Sequence, residues 1–325
     1  MTPREKFIKA LKREPITGHV PTFELVMFLT MESIGRVHPL HRNYEQWDQM
    51  SAKEQDLHLT DMALAYIEMA EKYHHSAILV HPNPGVNGDI PDDLASARRI
   101  LEKIRELSGD KYFLALHGDP TMPIPDGSHI MDVSVMMYEE PEKIHDWTKR
   151  RVEQCIHTAQ ELKKIPGLLD GFVLCSDYCF NTNPFYSRDM FAEFVGPYLK
   201  EILDFYRSEG FYSIKHTDGN VMPILDMIVD CGPDAVHSLD PQGGVDLKEV
   251  RRLYGDKVCL VGNVNCGKMQ TGTEEELIED VRRALREGMP GYGYIFSTSN
   301  CAYTGLPLER YELMNRIWRE EGIYK

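Results

Sequence analysis

The chain has 325 residues, with 36 Lys and Arg against 51 Asp and Glu, a formal charge of −15 at pH 7 and an isoelectric point near 5.3. This acidic balance argues against nucleic acid and anionic membrane surfaces as partners, since both reward clustered basic side chains. Hydrophobic residues at 42% supply a large core, while residues 25–31, an uncharged apolar stretch near the N-terminus, fall far short of the ~18 residues of a membrane span. The charged opening MTPREKFIKALKR lacks the apolar core of an export signal. The expectation is a cytoplasmic protein of enzyme size, whose 7 cysteines are thiols or metal ligands before they are disulfides.

In chain order, short apolar runs rich in β-branched and aromatic residues alternate with charged stretches of helical spacing. The first run is 19–25, followed by a helical insertion over 26–75. Strands are then predicted at 76–81, 112–117, 171–176, 212–216, 234–239, 258–264 and 292–296. Helices are predicted at 93–107, 141–164, 187–208 and 273–287, with an irregular segment at 120–140. No Pro-, Gly- or Ser-rich linker divides the chain. Eight strands alternating with helices point to an α/β fold, a single-domain (β/α)8 TIM barrel over 1–325 with an N-terminal helical insertion. An open doubly wound sheet fits the same alternation.

Almost every predicted strand ends in a chemically capable side chain: Glu24, His81, His117 with Asp119, Cys175 with Asp177, His216 with Asp218, His237 with Asp240, Cys266 and Cys301. Barrel enzymes keep their chemistry at the carboxyl ends of their strands. Taken singly, such residues also serve as caps and turn formers; taken together, they favour an enzyme. The stretch from Gly262 to Met269 nearly matches a phosphate-binding loop, but Met269 stands where that loop needs a hydroxyl, and the match is set aside. His216, Cys266 and Cys301 are nitrogen and sulfur donors suited to Zn²⁺ on three strands of one barrel. Asp218 is either a further ligand or an acceptor that orients the imidazole, and the plainer alternative leaves both cysteines as inert buried thiols. Glu24 is the best carboxyl for general acid work if apolar neighbours raise its pKa.

Several stretches together resemble the uroporphyrinogen decarboxylase superfamily. They are the opening TPREKFIKALKREPITGHVPTFE, the segment DYCFNTNPFYSRDMFAEFVGPYLKE at 177–201, IKHTDGN at 214–220, VGNVN at 261–265 with GT at 272–273, and SNCAYTGLPLERYELM at 299–314. The resemblance covers nearly the whole chain and implies a (β/α)8 barrel. The decarboxylases of that superfamily carry an Arg-rich motif after the first strand; here residues 24–30 read ELVMFLT, and from Glu24 onward no Arg occurs until Arg36. His81 stands where they use an Asp. The cobalamin-dependent methyltransferase branch of the same superfamily includes coenzyme M methyltransferases and components of aryl ether O-demethylases, and its coenzyme M enzymes bind zinc through His-x-Cys and a distant Cys. His216 and Cys301 match, Asp218 takes the middle place, and Cys266 lies where it could replace the missing thiolate.

The resemblance therefore implies a zinc-dependent methyltransferase working between a small substrate, favoured to be a methoxylated aromatic ether, and the cobalt of a corrinoid (cobalamin) carried by a partner protein. Glu24, His81 or Asp177 would deliver a proton. Met27, Phe28, His117, Tyr178, Asn220 and Asp240 would meet the substrate. A decarboxylase of heme biosynthesis and a non-catalytic barrel binding a small ligand or cobamide stay open beside it, as does a homodimer.

Overall fold

Seven strands lie parallel and pair in chain order: β1 (Ala77–Leu79), β2 (Phe113–His117), β3 (Gly171–Leu174), β4 (Tyr212–Thr217), β5 (Ala235–Ser238), β6 (Cys259–Val264) and β7 (Tyr294–Thr298). This computed structural model describes residues 1–42, 46–82, 86–87, 90–91 and 94–325. The two edges of the sheet meet at Thr22, which bridges in parallel to His75 on one side and Phe296 on the other. The Ser76 N–H donates to the Thr22 carbonyl at 2.8 Å, the Phe23 N–H to Phe296 O at 3.1 Å, and the Phe296 N–H to Pro21 O at 2.9 Å. Residues 21–23 thus form the eighth stave of a closed (β/α)8 barrel. The stave is shorter than the predicted 19–25 because Pro21 has no N–H to place in a ladder; the preceding Gly18–His19 pairs instead, antiparallel, with Ile323–Tyr324.

Two apolar layers hold the fold. Inside the barrel, Leu25, Leu79, Phe113, Ala115, Val173, Ile214, Ala235, Val261 and Ile295 form one cluster together with Phe7 and Leu11. Helix Pro3–Leu11, capped by Thr2 and Glu5, plugs one end of it. Phe7 is fully buried there and packs its ring 4.8 Å from that of Phe113. The larger layer lies between sheet and helices. Strand side chains alternate between the two: Ile214 joins the inner cluster, so His216 shares its inward direction, while Lys215 points into the outer layer.

The helices Pro141–Lys163, Gly196–Ser208 and Glu274–Gly288 lie where the spacing predicts. Leu94–Ser108 does too, with position 93 outside the described residues. Two segments differ. Helix Ala52–Tyr73 is the regular connection from the first stave to β1, so the insertion proper is shorter than 26–75. Half of the segment expected to be irregular is helix Ile130–Glu139. Among the described residues no helix is long and apolar enough to cross a membrane.

Candidate metal centre

Register across β4 and β5 pairs His216 with His237, and their inward parity brings both rings toward the barrel axis. Beyond the end of β4, Asp218 is held on both oxygens: Ser238 Oγ donates to Oδ1 at 2.8 Å, and Asn300 Nδ2 donates to Oδ2. Asp177, on the loop after β3, accepts from the Asp218 N–H at 2.8 Å. These ties leave His216 Nε2 3.9 Å from Asp177 Oδ1 and 3.8 Å from Asp218 Oδ1. Both separations exceed a hydrogen bond. One ligand atom from each of Asp177, His216 and Asp218 lies within 4.8 Å of the others, and no group of this kind among the described residues contains a cysteine.

The donor set fits a divalent cation. Two carboxylates and an imidazole supply three ligands and leave a position for substrate or water. Burial raises the Asp218 pKa, and the neighbouring Asp177 and Asp240 carboxylates raise it further, against the opposing pull of His216. A cation removes that like-charge crowding.

The expected ligands His216, Cys266 and Cys301 are not the set that converges. Strand β6 ends at Val264, and the Asn265 side chain accepts from the Lys268 N–H at 3.0 Å to cap helix Cys266–Thr271. That cap starts a helix at Cys266, whose Sγ faces the Cys301 carbonyl at 3.9 Å. Burial, with the Glu24 charge next, pushes the Cys266 thiol up to about 11 and the Cys301 thiol up to about 12. Both are neutral thiols beside Glu24. Asp218, named from sequence as the alternative ligand, joins His216 instead, and Asp177 moves from expected proton donor to third member of the group.

Glu24 is 5% exposed and accepts from the Thr298 N–H at 2.9 Å, Thr298 Oγ1 at 2.8 Å and Ser297 Oγ at 3.4 Å. Desolvation outweighs those bonds and pushes its carboxyl up to about 7. His81 and His117 lie with ring centroids 4.8 Å apart, and the Nδ1 of each is buried without a partner. Burial lowers His117 to about 4 and holds His81 well below its ordinary value, so they are neutral imidazoles rather than charged acids.

The expected substrate contacts divide. Phe28 is half-buried and stacks on His41 at 4.6 Å, a wall an aromatic ring can extend. Met27 is buried and bridges to Ala302. Tyr178 does not line the mouth: it is fully buried, with its ring 4.2 Å from Lys215 Nζ and its hydroxyl 2.6 Å from Thr121 Oγ1. Asn220 donates to Thr182 O at 3.0 Å and ties down the 178–186 loop. Asp240 caps the turn Pro241–Gly243 through the Gln242 N–H.

Two pairings went unread in the sequence. Asp119, expected at the mouth with His117, turns into the outer layer, where Lys215 Nζ donates to it at 2.8 Å; both side chains are wholly buried. His237, noted only as a strand-end residue, lies with Nδ1 2.8 Å from His216 Nδ1.

Comparison with known proteins agrees with the barrel. The family model described as uroporphyrinogen decarboxylase (URO-D) matches residues 125–320. The uroporphyrinogen decarboxylase of Chlorobium luteolum is 32% identical over 108 residues, 31% of this chain and 28% of that protein. That of Shewanella pealeana is 24% identical over 239 residues, 68% of this chain and 63% of that protein. The match thus spans less than two thirds of these relatives' length. A methyltransferase from Methanosarcina mazei superimposes with a TM-score of 0.67 at 17% identity over 98% of this chain and 99% of that one, a likeness of fold. With the family match running through more than half the chain, from the segment 125–140 to the last long helix, the chain belongs to the uroporphyrinogen decarboxylase (URO-D) family.

Proposed function

We propose that this chain is a metal-dependent methyltransferase, moving a methyl group between a small substrate and the cobalt of a corrinoid carried by a partner protein. The observation that carries the reading is the convergence of Asp177 Oδ1, His216 Nε2 and Asp218 Oδ1 at the carboxyl end of the barrel. The fold shared with the Methanosarcina mazei methyltransferase supports it. Held by these three residues, a divalent cation such as Zn²⁺ would supply Lewis acidity to the heteroatom that bears the methyl group. The oxygen-rich donor set favours an ether oxygen over a thiol, and so a methoxylated aromatic substrate.

The chain's own groups account for the rest. Glu24, whose carboxyl is pushed up to about 7, would give its proton to the oxygen that leaves when the substrate's bond to methyl breaks and the methyl passes to the corrinoid. The Phe28–His41 stack offers an aromatic face. The curated relatives are named uroporphyrinogen decarboxylases, which is the second reading. Against it, Asp177, Asp218 and Asp240 give the mouth a negative lining that repels a substrate with many carboxylates.

The test is elemental analysis of the purified protein, with methyl transfer from a panel of methoxyaromatics, methylamines and methyl thioethers to free cob(I)alamin. About one zinc per chain and transfer from the ethers are expected. Absence of bound metal with turnover of uroporphyrinogen would establish the decarboxylase instead.

A further inference from the structure

The ring of His237 is wholly buried, and both of its nitrogens face a partner. Nε2 lies 3.2 Å from the Thr298 carbonyl oxygen and 3.5 Å from Ser297 Oγ; Nδ1 lies 2.8 Å from His216 Nδ1. A carbonyl oxygen only accepts, so the hydrogen of a neutral His237 sits on Nε2 and its Nδ1 presents a lone pair. Two ring nitrogens 2.8 Å apart share one hydrogen between them. It belongs to His216, whose Nδ1 donates to His237.

We propose that His237 is a positioning residue that holds His216 in its Nδ1–H form, so that the Nε2 lone pair of His216 faces Asp177 and Asp218 as a ready metal ligand. Three features carry this. The Thr298 carbonyl sets the hydrogen on His237, the register between β4 and β5 sets the two rings side by side, and the 3.8 and 3.9 Å separations on the far side of His216 lack a hydrogen bond that would compete for the opposite form. Ligating histidines commonly donate their second nitrogen to a carboxylate or a backbone carbonyl. Here a second histidine, itself fixed by a carbonyl, takes that part. The inference rests on the metal reading above, but its first measurement does not.

That measurement is nitrogen-15 NMR of the histidine rings in the full-length metal-free protein, with the His216 resonances assigned by comparison with His216→Gln. Wild type should show His216 as the Nδ1–H form. His237→Phe keeps the ring and removes the acceptor; it should lose that form and bind Zn²⁺ about 10–100-fold more weakly in competition with a chromophoric chelator. His237→Asn places an amide oxygen near the lost Nδ1 and should restore both, which separates positioning from damage to the fold. His216 found as Nε2–H in wild type, or His237→Phe binding zinc as wild type does, overturns the proposal. A wild type that shows the Nδ1–H form and binds no zinc supports the lock and removes the metal reading alone.

Discussion

Glu24 offers the most direct test of how burial sets the chemistry at the barrel mouth. Its folded carboxyl titrates near 7 against an ordinary value of 4.5, because desolvation outweighs the bonds from Thr298 and Ser297. That gap corresponds to roughly 3 kcal/mol. The folded state holds the proton more tightly than the unfolded chain, so the stability is fully present below about pH 4.5 and is lost as pH rises through about 7. Glu24→Gln keeps the geometry: the amide oxygen accepts from the Thr298 N–H, and the amide nitrogen donates to Thr298 Oγ1. It removes the ionisation. The variant and wild type should therefore melt with a small offset at pH 5, and the variant should gain on wild type as pH rises. For a chain of this size the entropy of unfolding is about 0.7 kcal/mol per kelvin, so roughly 3 kcal/mol becomes a relative gain of about 4 °C by pH 9. Differential scanning calorimetry of the two chelator-treated proteins from pH 5 to 9 reads it directly. Other carboxylates titrate in both proteins and cancel in the difference. A difference in Tm that stays constant across that range would refute the argument that Glu24 is buried as a neutral acid.

The same group should shape turnover: kcat falls above about pH 7, and Glu24→Gln loses that limb, as a pH–rate profile with free cob(I)alamin checks. Asp119→Ala strands the Lys215 ammonium in the outer layer and should cost about 3–5 kcal/mol in urea unfolding, whereas Asp119→Ala with Lys215→Met should recover much of it; equal losses would mean that the pair is hydrated. Asp218→Ala and Asp177→Ala should each strip most bound zinc while Cys266→Ala retains it, measured by elemental analysis of dialysed protein. Zinc lost in Cys266→Ala and kept in Asp218→Ala would return the ligand set to the thiolates.

The barrel was legible because parallel strands buried on both faces leave a plain mark, a short β-branched or aromatic run without alternation. All seven sheet strands fall inside or within two residues of the predicted runs. The first stave was legible in place but not in length, since Pro21 interrupts the ladder. The helix Ala52–Tyr73 was hidden inside an apparent insertion for a different reason. Periodicity marks a helix but does not say whether that helix covers the sheet or decorates it, and only the bridge from Thr22 to His75 shows that Ala52–Tyr73 makes the standard crossover into β1.

The site was legible to the extent that alternation extends into it. His216 and Asp218 are two residues apart at the end of a strand whose inward parity Ile214 sets, so both were foreseeable as neighbours, and the same parity sends Lys215 outward. Alternation stops where the strand stops. Asp177 lies beyond Leu174 on a loop, where nothing in its spacing shows that it folds back to accept the Asp218 N–H. Cys266 lies beyond Val264 on the far side of a cap, and here the sequence did carry a signal: Asn is a strong N-cap, and Asn265 accepting from Lys268 begins a helix at the very residue taken for a ligand. A thiol two residues past a strand and inside a new helix therefore had less claim on the barrel axis than a carboxylate one residue past the end of β4. The Asn265 cap and the strand parity of His216 together favour Asp218 over Cys266 as its neighbour, because a donor held close by the backbone needs no rearrangement to meet the imidazole.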